Sequence, residues 1–273
     1  MDFPIKIGDV LNLGKDFIST QKQGLRLMIY LDPRCSDELA DEICTLFSPQ
    51  SSRLKVFVRI LSGEAEADSA LIAGDGARSA SILVCAHARD IAALGALPQP
   101  SCVIVGDDLR SQAADVLGVS ILDVVSPRSG EMAAQLGTWF STQIPARRTA
   151  IAADLSFARE AVSREIRSTT AWQNAVIALV PFTHGADLPV LVANQAKMIL
   201  QLALVAGLEL DAQRVPELLV TGAAALGGRR LARSFSPRFP PTRWLSRALI
   251  SFSITWALGF AVERYHAARG PQH

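Results

Sequence analysis

The chain has 273 residues, a length that accommodates about two domains. Its 27 lysines and arginines against 26 aspartates and glutamates leave a net charge of +1, which excludes a global field steering it toward nucleic acid. Hydrophobic residues make up 49% and the mean hydropathy is +0.26, apolar for a soluble chain, with the excess in the C-terminal part. Cys35, Cys44, Cys85 and Cys102 lack CxxC or Cys/His ligand spacing, so they read as small buried hydrophobes in a reducing cytosol, and neither metal nor cofactor is expected. The opening MDFPIKIGDV has no basic region followed by an apolar core, so no signal peptide is expected.

In chain order, Met1 to Thr20 predicts a lead-in helix with Val10, Leu11, Phe17 and Ile18 on one face, closed by the polar break Gln21–Gly24. Leu25–Asp32 is a continuous apolar run ending in Asp-Pro, the profile of a buried parallel strand. Ser36 caps a helix in which Leu39, Ile43, Leu46 and Phe47 share a face. Further strands are predicted at Leu54–Leu61, Ser81–Ala86, Cys102–Gly106 and Val119–Val125. Between them come a loop with a short helix at Gly63–Gly76 and helices at Ala88–Leu97, Asp107–Leu117 and Gly130–Ile144. This alternation predicts a parallel sheet with helices on both faces and right-handed connections. Ala146–Ser168 is charged with a helical period and is taken as a connecting helix, with the boundary near Pro145. The expected organisation is therefore a lead-in helix over 1–24, an α/β domain over 25–145, a connecting helix over 146–168 and an apolar helical domain over 169–273.

The most apolar long run is Pro181–Leu210. Asp187 stands at an N-cap position, Pro189 falls in the first turn, and Gly207 offers a stop. Leu191, Gln195, Met198, Leu202 and Val205 fall on one side. A helix apolar on most faces must be buried in protein or in lipid. Apolar helices are also predicted at Thr170–Val180, Asp211–Phe235 and Thr242–Ala268, with a tight turn at Gly207–Asp211 making a helical hairpin.

Two loops of the α/β domain resemble those of a degenerate G domain. After CVIVG comes Asp107-Asp108-Leu109, similar to the end of a base-recognition loop, with Val105 and Gly106 where Asn and Lys are expected. Val125-Ser126-Pro127-Arg128-Ser129-Gly130-Glu131 resembles the Ser-Ala-Lys loop that closes over guanine. The phosphate machinery is missing: the first βα loop is Asp32-Pro33-Arg34-Cys35-Ser36-Asp37-Glu38, without glycine or lysine and with three carboxylates. A Rossmann-like or degenerate G-domain-like fold without nucleotide is expected. In the C-terminal domain Gln173-Asn174-Ala175, Gly185 to Leu191, Asn194-Gln195, Met198-Ile199-Leu200, Gly207, Asp211, Arg230-x-x-Arg233, Gly259 and Tyr265 carry a resemblance to the bacterial YcjF-type helical domain, domain-of-unknown-function family 697. Ala225 to Arg229 departs from that family's aromatic glycine-rich run, and the resemblance brings no catalytic residues.

The longest uncharged run, Ala248–Val262, is shorter than the ~20 residues of a span. Trp244 and Tyr265 flank it as interfacial anchors, and Ser251, Thr255 and Gly259 form a small-residue stripe for close packing. Between Glu217 and Glu263 there is no acidic residue, but Arg229, Arg230, Arg233, Arg238, Arg243 and Arg247 accumulate. With Trp244 they are the candidate membrane-surface contacts. His87, His184 and His266 have no partner that spacing supports, so no catalytic residue is expected. The expectation is a non-enzymatic scaffold or regulatory protein at the cytoplasmic membrane, its α/β domain in the cytoplasm. Its expected partners are lipid or a membrane protein, not nucleic acid, with self-association through the apolar helices. The alternative is a divergent nucleotide-binding switch.

Overall fold

The structure is a computed structural model, and it describes residues 24–76, 78–84, 100–106, 111, 114–115, 124–128, 130–179, 188–208 and 243–269. The expected lead-in helix, the helix at 88–97, most of 107–117 and the segment 211–235 lie outside the described residues. The rest falls into two compact units, one ending at Val162 and the other beginning at Ser163.

The first unit is built on five parallel strands, β1 (Leu25–Leu31), β2 (Leu54–Ile60), β3 (Ala80–Val84), β4 (Ser101–Ile104) and β5 (Val124–Val125), in the order β2-β1-β3-β4-β5. The apolar runs make central strands because both faces are covered: β3 and β4 are buried throughout, as is β1 except for Arg26. Helix α1 (Asp37–Leu46) starts where Ser36 Oγ accepts from Leu39 N at 3.3 Å, and it buries Ile43. Helix α2 (Ala65–Gly74) contributes Ile72 to a core with Met28, Tyr30, Leu83 and Val103. Helix α3 (Glu131–Gln143) buries Met132, Leu136, Trp139 and Phe140. The α/β, Rossmann-like architecture expected from the sequence is the one observed.

The segment read as one connecting helix, 146–168, is divided. Helix α4 (Arg148–Asp154) stops, the chain turns through Leu155–Phe157, and helix α5 (Ala158–Leu179) begins. Arg159 closes the end of α4, donating from Nε to Ala152 O at 3.1 Å and from Nη2 to Ala153 O at 2.9 Å. Phe157 packs its ring on Phe47 at 5.3 Å and on Phe140 at 6.1 Å. Residues expected to bridge two domains are therefore core of the first, and the change of unit comes inside α5 rather than at Pro145.

The second unit contains the rest of α5 with α6 (Leu188–Val205) and α7 (Arg243–Arg269). Leu191, Gln195, Met198, Leu202 and Val205 are all buried, as their spacing predicts. Pro189 occupies the first turn of α6, and Asp187 lies outside the described residues. At the other end Gly207 adopts φ 81°, Gly207 N donates to Leu204 O, and Leu208 N donates to Ala203 O. That pair of bonds is the Schellman closure, which needs a left-handed residue and so favours glycine. An α/β domain followed by helices is thus observed; the partner helix of the expected hairpin lies outside the described residues.

Candidate functional site

In a sheet of this order ligands enter beyond the carboxyl ends of the strands, where the winding reverses between β1 and β3. The β1 loop there is closed on itself. The buried Asp32 carboxylate accepts from Arg34 N at 2.8 Å and from the Arg34 guanidinium at 3.1 and 3.2 Å. Asp37 and Glu38 lie in the first turn of α1, where they already complement the positive end of the helix. Burial, then Asp32 and Asp37, push the Cys35 thiol up, so it is held as thiol and not as thiolate nucleophile.

Asp68, a second buried carboxylate not singled out in the sequence, accepts from Ser62 N, Ser62 Oγ and Gly63 N at 2.7, 2.8 and 3.0 Å. Ser126, in the loop likened to a guanine lid, is buried and its N–H donates to Gln135 Oε1 at 2.9 Å, within its own βα unit. Each of these polar groups is satisfied locally. Asp107, Asp108, Leu109 and Ser129 lie outside the described residues. Among the described residues no group of three His, Cys, Asp or Glu side chains could hold a metal ion.

The helical unit has a polar interior. Asn174 Nδ2 donates to Thr255 Oγ1 at 3.0 Å, and Gln195 Nε2 reaches the same oxygen at 3.2 Å. Asn194 Nδ2 donates to Asn174 Oδ1 at 3.1 Å, and Ser251 Oγ donates to Asn174 O at 3.1 Å. Asn174, Gln195, Thr255 and Ser251 are buried, and together they tie α5, α6 and α7. Buried Arg167 extends the chain of contacts, with Nη1 at 3.1 Å from Glu263 and its guanidinium over Trp256 and Phe260 at 5.1 and 5.6 Å. The stripe Ser251, Thr255 and Gly259 faces inward as the spacing predicts. A Cβ at Gly259 would stand 2.6 Å from Arg167 Cγ and 3.2 Å from Met198 Sδ, so the stripe sets how closely the helices approach.

These contacts fix direction. Arg167 meets Glu263 while Asn174 meets Thr255, so α5 and α7 are antiparallel. Gln195 meets Thr255 while Met198 faces Gly259, so α6 runs with α7. The end of α5 and the starts of α6 and α7 therefore lie together. That end exposes Trp172 (62%), Val176 (57%), Leu179, Val190, Leu245 and Leu249 (59%). Trp172 packs edge-on to Phe252 at 5.1 Å, which stacks on Trp256 at 6.0 Å. Toward the opposite end lie Arg164, Arg167, Glu263 and Arg264, together with exposed Phe260 and Tyr265.

Leu245–His266 is the one described helix segment long and apolar enough to cross a membrane, and 28% of its most apolar window is buried. It reaches beyond the uncharged run to 22 residues because Arg247, Glu263 and Arg264 stand near its ends and do not interrupt the apolar centre. Of the candidate lipid contacts, Arg229, Arg230, Arg233 and Arg238 lie outside the described residues. Arg243, Trp244 and Arg247 fall in the first turns of α7, at the end where the apolar side chains collect, and Arg247 is half-buried. Composition alone did not mark Trp172, Val176 or Leu249 as exposed, because helical spacing gives a face but not its neighbours. No protein-family model, no curated protein and no solved structure matches this chain.

Proposed function

We propose that this protein is a non-enzymatic, membrane-associated scaffold of the cytoplasmic membrane, whose helical unit dips its apolar end into an anionic bilayer. The observation that carries the reading is the exposed apolar cluster of that unit: Trp172, Val176 and Leu249 are more than half exposed, while the polar Asn174, Gln195, Thr255 and Arg167 are buried among its apolar core. An exposed cluster of large apolar side chains and a buried polar set are the informative departures from a water-soluble helical bundle. Lipid favours this arrangement, since polar side chains that pair across helices, as Asn174 and Gln195 do on Thr255, are kept inside while apolar ones face the acyl chains. Exposed Lys197 lies near the level of Gly259, toward the charged end, which supports entry by one end only. Arg243 and Arg247 begin α7 at the entering end, where each arginine near anionic headgroups adds on the order of 1 kcal/mol.

The test is depth-resolved quenching. A variant retaining Trp172 as its only tryptophan is mixed with phosphatidylglycerol-containing vesicles that carry brominated acyl chains. A second variant retaining only Trp139, in the core of the α/β unit, is the control. Bromolipid should quench Trp172 strongly and leave Trp139 unchanged. Equal or absent quenching of the two contradicts membrane entry at this end.

A further inference from the structure

β2 lies at one margin of the sheet, with β1 as its neighbour among the described residues. Leu25 N donates to Arg53 O and Leu61 N donates to Leu31 O, so the odd-numbered residues of β2 turn their backbone groups toward β1. The N–H and C=O groups of Val56, Val58 and Ile60 therefore point to the outer margin. The same alternation sorts the side chains. Lys55, Phe57 and Arg59 stand in register with Arg26, Met28 and Tyr30 on one face, while Val56, Val58 and Ile60 share the other.

Both faces are exposed toward the end of the strand. Ile60 is 73% exposed and Val58 42%, which leaves apolar area uncovered at the margin. On the opposite face Arg26 covers the Phe57 ring at 5.0 Å, Lys55 is exposed, and Arg59 lies 3.6 Å from Asp75. Lys55, Arg59 and Arg26 thus line this face beside β2, with Arg59 answered by Asp75 and Arg26 resting on Phe57. We propose that this margin is a docking surface for an extended peptide segment in which acidic and apolar residues alternate. Such a segment adds a strand to β2 through the outward backbone groups, sets its carboxylates beside Lys55 and Arg59, and covers Val58 and Ile60 with its apolar side chains. A second copy of β2 is a poorer occupant in the register centred on Phe57. Antiparallel pairing about Phe57 places Lys55 opposite Arg59 of the other copy, a like-charge pair. The proposal uses no residue of the membrane reading, so each stands or fails alone.

The probe is a fluorescently labelled, N-acetylated heptapeptide of alternating valine and glutamate, followed by anisotropy with the full chain. Its comparators are an alternating valine–lysine heptapeptide and a peptide of the same composition with its glutamates grouped at one end. The alternating acidic peptide should bind and both comparators should fail. Val58→Pro removes an outward N–H and leaves the β1-facing bonds in place, so it should abolish binding while the thermal transition stays. Lys55→Glu with Arg59→Glu should weaken the acidic peptide by about tenfold and admit the lysine peptide instead. Three results overturn the proposal: no binding up to about 1 mM peptide, equal binding of the two alternating peptides, or binding unchanged in Val58→Pro. If Val58→Pro unfolds the protein, the charge-reversed pair decides.

Discussion

Tyr30 lies in the middle of β1 with no solvent exposure, yet its hydroxyl donates to Asp75 Oδ2 at 2.9 Å and accepts from Arg78. Arg78 also donates to Ile72 O at 2.6 Å, so the network ties the C-terminal end of α2 to the sheet. Burial first, and the Asp75 acceptor second, push the phenol from 10.0 up to about 12 against the pull of Arg78. The fold therefore keeps a proton that the unfolded chain releases. Stability from this group is complete below pH 10 and is lost as pH rises toward about 12. Denaturant midpoints measured across that range should fall faster for the native chain than for Tyr30→Phe, which lacks the ionising group. Parallel pH profiles would show that Tyr30 does not carry the effect.

At the scale of elements, the strands were legible because a strand buried on both faces is written as an unbroken apolar run, as in Leu27–Leu31 and Ile82–Val84. Helix α6 was legible from its spacing and from Gly207, whose left-handed conformation closes it. The break between α4 and α5 was hidden. It depends on Phe157 meeting Phe47 and Phe140, and on Arg159 reaching back to α4, contacts that local period does not contain. The polar seam of the helical unit was half legible: Ser251, Thr255 and Gly259 announce a close-packed face, but their partners Asn174, Gln195 and Arg167 follow only from the crossing of three helices.

That crossing has a direct test in Gly259→Ala. The new methyl must displace the Arg167 stem, which Glu263 and Trp256 hold, and overpacking of this kind costs about 1–3 kcal/mol. Helix propensity returns roughly 1 kcal/mol. A net loss on the order of 1 kcal/mol should lower the melting temperature of the helical unit, whereas an unchanged or raised value means that α5 and α7 do not approach this closely.

At the scale of the whole molecule, the chain joins an α/β unit whose β1 loop is closed by its own side chains to a helical unit that gathers most of its exposed apolar side chains toward one end. Asp32 answers Arg34 and Asp68 answers Ser62 and Gly63, which gives an anion no set of converging donors at these two loops. The exposed leucine, valine and tryptophan side chains at the other unit's end are already about half covered, so each contributes roughly half of the 1.5–3 kcal/mol of full burial, about as much as one arginine adds through charge and more in sum. Membrane attachment should accordingly weaken with salt without disappearing.

Flotation of the full chain with anionic vesicles, compared with Val176→Glu combined with Leu249→Glu, tests this most directly. Both positions are more than half exposed, so the substitutions leave the interior of the unit untouched. The native chain should rise with the vesicles at low salt and remain with them in part at high salt, while the double variant stays at the bottom of the gradient as folded protein. A native chain that stays at the bottom without detergent, as a stable oligomer that the double variant breaks, would show that these side chains meet another copy of the protein and not lipid.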